Sequence, residues 1–209
     1  MGLSQDRLGG SPWPGLTNAR WRWGPHQAIV LSMKTTTPHI SRIHDRVEIR
    51  PLTDADRAGL AEEFSHLSLE TRRRRFGGTA SSLTDRDLDR LTNIDHRNHE
   101  AVAAVIPDRD RIVGVARYIG LPTDPRAAEV AIEVDDEWQG RGLGRRLMSQ
   151  LIDRARVNGF VSLVAYVSND NHPVRGWLAR SGGTVETHEG DTTIYSIPIT
   201  DVAEARRAA

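Results

Sequence analysis

The stretch VDDEWQGRGLGRRLMSQLIDRA, residues 134–155, decides how this chain folds. It continues an alternating apolar run, AEVAIEVDD. It then passes into a segment whose Leu143, Leu147, Met148, Leu151, Ile152 and Ala155 recur at helical spacing. A strand therefore ends near Val134 and a helix begins near Gly142. Between them stand Gly140, Gly142 and Gly144. Glycine costs about 1 kcal/mol against alanine inside a helix, so three of them at a helix start need a reason. The first amides of a helix lack intrahelical acceptors, and the helix dipole adds about half a positive charge there. Glycines let the backbone approach an anion closely and adopt positive φ. Together these features predict a phosphate cradle, with Arg141, Arg145 and Arg146 adding charge around it.

Two common phosphate loops do not fit. A Walker loop needs Gly-Lys-Ser/Thr, and the only lysine of the chain is Lys34. The dinucleotide fingerprint needs a glycine where Arg145 stands. A tight glycine turn with no ligand is the plain alternative.

The pattern extends outward on both sides. VEIRPL reads as a strand, and TDADRAGLAEEFSHL as a capped helix with Leu60, Phe64 and Leu67 inward. SLETRRRRF, capped by Ser68, and TDRDLDRLTNI, capped by Thr84, read as two short helices, the second with Leu88, Leu91 and Ile94 on one face. EAVAAVIP and RIVGVARYIG are strands joined by the turn DRDR. A loop, PTDPRA, leads to AEVAIEVDD. Beyond the cradle, GFVSLVAYVS reads as a buried strand, DNHPVRGWLARSG as a helix, and GTVETHEGDTTIYSIPI as a closing hairpin around residues 189–191. This order predicts an α/β (α+β) sandwich, a mixed sheet with helices on both faces.

Composition bounds the function. The 209 residues hold 28 Lys and Arg against 28 Asp and Glu, so net charge gives no reason to expect a nucleic-acid partner. There is no cysteine, which excludes disulfides and thiolate metal sites and fits a cytoplasmic setting. No apolar run approaches ~18 residues, so no membrane span is expected. Residues 1–45, with their Gly and Pro and no sustained period, read as a disordered extension. Met33 is an alternative natural start, and Trp13, Trp21 and Trp23 fall in the same extension. Residues 46–200 form the domain, and 201–209 a tail.

The spacing Gln139-x-x-Gly142-x-Gly144 after the strand resembles the pyrophosphate loop of the GCN5-related N-acetyltransferase (GNAT) superfamily. Asn171, eleven residues before the helix-closing Gly182, resembles a second motif of that superfamily. IRPLTDAD, LSLETRRRRF, LTDRDLDRLTNID, RIVGVARY and AEVAIEVDDEWQGRGLG are further similar to the acetyltransferase domain of bacterial protein-lysine acetyltransferases. The resemblance covers residues 47–199. It implies a sheet split between two parallel strands and acetyl-CoA as co-substrate. In that comparison Val134, Gln139, Gly140, Arg141, Gly142, Leu143, Gly144, Arg145 and Asn171 hold the co-substrate. The resemblance does not extend to the nucleotide-binding or synthetase-like module often fused to this domain, and none is expected within these 209 residues.

The resemblance also implies direct transfer of an acetyl group to an amine, either protein lysine or a small molecule. An amine is mostly protonated at neutral pH, so a base is needed. Glu129 and Glu133 share one face of their strand, opposite Val130, Ile132 and Val134. Glu129 matches the base position of the lysine-acetyltransferase group, and Glu133 is the other candidate. The family's usual acid, a tyrosine four residues before the closing glycine, is Leu178 here, which leaves Tyr166 and Ser168 as candidate donors. That departure keeps a second expectation open, a catalytically weak acyl-CoA sensor. His96 and His99 have no metal-ligand spacing, so no metal is expected. Arg72, Arg73, Arg74 and Arg75 read as a solvated helix face, and His172 as a helix opener.

Overall fold

A computed structural model describes residues 47–76 and 82–199. The expected extension 1–45, with Met33, Lys34 and three tryptophans, lies outside the described residues, as does the tail 201–209. The side chains of Arg73, Arg74 and Arg75 lie outside them too.

Strand β1 (Glu48–Pro51) leads into a single 3-10 turn, Asp54–Asp56, where Thr53 and Asp56 form a reciprocal capping box. Helices α1 (Arg57–His66), α2 (Leu69–Phe76) and α3 (Asp85–Thr92) follow. Ser68 caps α2 by accepting from the Thr71 amide at 3.2 Å, and Thr84 caps α3 through the Asp87 amide. Strands β2 (His99–Ile106), β3 (Arg111–Leu121) and β4 (Asp124–Val134) form an antiparallel run. Helix α4 (Leu143–Val157) then crosses to β5 (Ser162–Ser168), and α5 (His172–Arg180) to the hairpin of β6 (Thr184–Glu189) and β7 (Thr192–Pro198).

The seven strands lie in the order β1-β2-β3-β4-β5-β7-β6, with β4 and β5 the parallel pair. Alternation along the strands makes two cores. One lies beneath α1 and α3 and contains Leu52, Leu60, Leu88, Ala103, Ile112 and Val115. The other lies beneath α4 and α5 and contains Val130, Ile132, Leu147, Leu151, Val167 and Leu178. Each buried leucine contributes about 2 kcal/mol by removal from water, and this burial, rather than intrinsic propensity, sets the register of α4 on the sheet.

One element differs from the sequence reading. PTDPRA is not a loop: β4 already begins at Asp124, which pairs with Leu121 across a two-residue turn. The register shifts between Gly120 and Leu121, and residues 125–127 are taken up in that irregularity. Pro125 is tolerated there because the pairing of β4 with β5 begins only at Ala127.

Candidate active site

β4 and β5 pair at only three positions, Ala127 with Ser162, Ala128 with Leu163 and Glu129 with Val164. β4 runs on to Val134 and β5 to Ser168. Beyond Glu129 the two parallel strands therefore part, and the sheet is split. The C-terminal ends of the diverging strands lead to two helix starts, Gly142 before α4 and Asn171 before α5. Ligands of α/β sheets bind outside the carboxyl ends of parallel strands, where helix N-termini collect.

The loop between β4 and α4 is held on the sheet by its own side chains. Asp135 is buried and pairs with Arg111 of β3 at 2.5 Å. Gln139, 9% exposed, donates its side-chain amide to the Val134 carbonyl at 2.9 Å. Asp136 lies 3.4 Å from the same nitrogen. These two acceptors fix the amide orientation, and they leave Gln139 Oε1 buried without a hydrogen-bond partner among the described residues. Gly140 and Gly142 stand at φ 72° and 80°, which side chains rarely adopt. The Gly142 carbonyl accepts from the amides of Arg145 and Arg146. The amides of Leu143 and Gly144, the two residues before them, are those that a helix start leaves for an outside acceptor. Leu143 itself is buried in the core, so only its backbone serves the loop. The Arg141 guanidinium lies over the Trp138 ring, 5.5 Å from its centre, and Arg145 is exposed. Arg146 donates to the Val47 carbonyl at 3.1 Å, which ties the helix to the edge of the domain. The geometry fits a group that brings phosphate oxygens to the helix start and a donor to Gln139 Oε1.

Asn171 is fully buried, its amide donating to the Ser168 carbonyl and its carbonyl accepting from the Arg175 amide. Of the expected cradle residues, those from Val134 to Arg145 belong to one loop and helix start. Asn171 reaches the same end of the split from the neighbouring strand.

Glu129 and Glu133 lie on the α1/α3 side of β4. They are four residues apart, about 13 Å along the strand, so they cannot serve the same atom. Glu129 sits at the vertex of the split and is half-buried, whereas Glu133 is 3% exposed. Tyr166 is the next β5 residue on that side beyond the vertex, packed with Val164, Ile194 and Leu121. Burial, with the carboxylates of Glu129 and Glu189 nearby, pushes the Tyr166 phenol well above its usual range. Ser168 spends its hydroxyl on Asp170 at 2.6 Å. Leu178 is fully buried among the core residues beneath α5 and offers no acid.

Sequence reading missed the buried Arg117 of β3, opposite Ala131 on the same side as the two glutamates. Its guanidinium donates to the Leu91 carbonyl at 3.1 Å and to His99 Nε2 at 3.3 Å, while His99 Nδ1 donates to the Asn93 carbonyl at 3.2 Å. His99 is thus a neutral structural link, and burial, helped by the Arg117 charge, lowers it from 6.5 to about 4. His96 pairs instead with the buried Glu100, which also binds Arg154 of α4. The unfolded chain protonates His99 near pH 6.5 and the native one only near 4. Acid therefore favours unfolding through this group, and its stabilisation is lost as pH falls across that window. The stability advantage of the wild type over His99→Gln, from urea titrations, is expected to narrow between pH 7 and pH 5. An advantage that stays constant would contradict this.

The comparisons agree with this architecture. The model of the Acetyltransferase (GNAT) family matches residues 64–182. Acetyltransferase PA5475 of Pseudomonas aeruginosa is 32% identical over 149 residues, 70% of this chain and 80% of that protein. Acetyltransferase Pat of Mycolicibacterium smegmatis is 30% identical over 134 residues, 64% of this chain and 40% of that protein, so the chain spans less than half of that relative. The solved GNAT domain of S. lividans PAT is 25% identical, with a TM-score of 0.67 over 73% of this chain and 90% of that one. No helix among the described residues is long and apolar enough to cross a membrane. The split parallel pair, the glycine-started helix and a family match over more than half the chain lead to one conclusion: the chain belongs to the acetyltransferase (GNAT) family.

Proposed function

We propose that the chain transfers the acetyl group of acetyl-CoA to a primary amine, with protein lysine as the acceptor class implied by the sequence resemblance to bacterial protein-lysine acetyltransferases. The observation that carries this reading is the parting of β4 and β5 beyond Glu129 and Val164, flanked by two helix starts. A parted pair of strands leaves backbone donors and acceptors along its inner edges, and such groups call for partners. The amide-bearing pantetheine arm of CoA supplies them in the manner of an added strand. Its pyrophosphate belongs at the amides of Leu143 and Gly144, with Arg141 and Arg145 adding charge. Asn171 borders the arm from the α5 side.

The bound co-substrate supplies an activated acetyl thioester. Glu129 takes a proton from the acceptor ammonium, and the freed nitrogen attacks the carbonyl carbon. As the C–N bond forms and the C–S bond breaks, the nitrogen sheds a second proton to solvent. The departing sulfur is protonated from the α1/α3 side, where Tyr166 keeps its phenolic proton at neutral pH. A CoA thiol is a good leaving group, so this donor is worth less than a usual catalytic acid. Tyr166→Phe is expected to lower kcat about tenfold with little change in KM for acetyl-CoA, below the usual range for acid–base catalysis. An unchanged kcat would assign the proton to water.

One observation favours a second reading: Leu178 is core in the place of the family's tyrosine. A sensor that binds acetyl-CoA without transferring it would show the same cradle. Mass spectrometry of a protein extract and an amine panel, each incubated with the chain and acetyl-CoA, separates the possibilities. Acetyl-lysine on proteins supports the proposal. Acetylated small amines alone would redirect the acceptor, and no product at all would leave the sensor.

A further inference from the structure

The cradle loop carries a contact that its phosphate-binding role does not require. Asp136, two residues after β4, reaches across to the start of α2, 65 to 68 residues earlier in the chain. Its Oδ2 accepts from the Ser68 amide at 2.8 Å, and its Oδ1 accepts from the Thr71 hydroxyl at 3.0 Å and lies 3.1 Å from Ser68 Oγ. The same Oδ1 is 3.4 Å from the Gln139 side-chain nitrogen that clamps the loop to Val134. One carboxylate therefore joins the cap of α2 to the clamp of the cradle. Leu67, just before the cap, is buried against Phe64, but Leu69, the first residue of α2, is 76% exposed, so the cap itself rests on polar contacts. Thr71 is buried, and its hydroxyl donates to Asp136. The other anchors of the loop, Asp135 on Arg111 and Gln139 on Val134, stay within the β3–β4–α4 unit. Asp136 alone among these three reaches α2.

We propose that Asp136 is a positioning residue that couples the cradle to α2: filling the cradle with CoA seats α2, and a seated α2 holds the cradle. Coupling of this kind is reciprocal: whatever orders one side favours the other by the same factor. The inference rests on the reading of the cradle as the CoA pyrophosphate site.

Amide hydrogen exchange followed by mass spectrometry on the full chain, with CoA as the probe, tests it. In the wild type, saturating CoA is expected to slow exchange in peptides covering 139–146 and, on the order of fivefold, in those covering 67–76. In Asp136→Ala the protection of 139–146 should persist while the CoA-dependent increment at 67–76 disappears. Thr71→Val, which keeps the Ser68 amide bond, should give an intermediate increment and guards against a folding defect in the first variant. A merely structural role for Asp136 would change exchange at 67–76 equally with and without CoA. Wild-type protection of 139–146 without 67–76, or an undiminished increment in Asp136→Ala, would overturn the coupling. Absence of protection at 139–146 in the wild type would overturn the CoA reading and the coupling with it.

Discussion

Gly142→Val is expected to bind CoA at least ~100-fold more weakly than the wild type while remaining folded. Gly142 stands at φ 80°, immediately before the first residue of α4. A β-branched residue is strained in that conformation by about 1–2 kcal/mol, a cost that a domain stable by roughly 5–15 kcal/mol survives. Relief of the strain turns the peptide, and with it the amides of Leu143 and Gly144 proposed to bind the phosphates. Hydrogen bonds to charged groups are worth about 1.5–3 kcal/mol each, so losing two of them accounts for a hundredfold or more. Isothermal titration with CoA, beside a thermal melt, checks both halves. Wild-type affinity in a folded variant would remove the phosphate from this helix start.

Glu129→Gln is expected to leave CoA affinity nearly unchanged and to lower kcat by roughly 10²–10⁴, the usual worth of a positioned base. The substitution keeps the shape of the side chain and removes its ability to take a proton. Glu129 is the glutamate at the vertex and is half-buried, whereas Glu133 is 3% exposed. The assignment depends on that difference in access, and steady-state rates of both glutamine variants decide it. A large loss in Glu133→Gln with little in Glu129→Gln would move the base four residues along the strand.

The parts of this site legible in the sequence are those whose physics is local. Three glycines at fixed spacing between an alternating run and a 3.6-residue stripe told of a strand, a turn at positive φ and a helix start, and all three are present. Ser68 and Thr84 were readable as caps because capping needs only the next three residues. What escaped depends on distant partners. Asp135 and Asp136 look alike in VDDEW, yet one pairs with Arg111 and the other reaches Ser68 and Thr71. Arg117 looked like one polar residue in an apolar strand, because nothing nearby in sequence announces its links to Leu91 and His99. PTDPRA was misread for a related reason. Proline and aspartate signal a loop, but the irregular pairing with β3 lets this strand start before β5 joins it. The insertion of β7 between β5 and β6 was likewise not read. In hindsight the signal was there, since TTIYSIP is buried along most of its length and TVETHE is mostly exposed.

Thiol release from acetyl-CoA, followed with and without added amine, tests whether the chain transfers the acetyl group. Release is expected to depend on both the chain and the amine, with one acetyl group appearing on the amine for each thiol freed. Tight binding of acetyl-CoA with no amine-dependent release, across protein lysines and small amines alike, would contradict it.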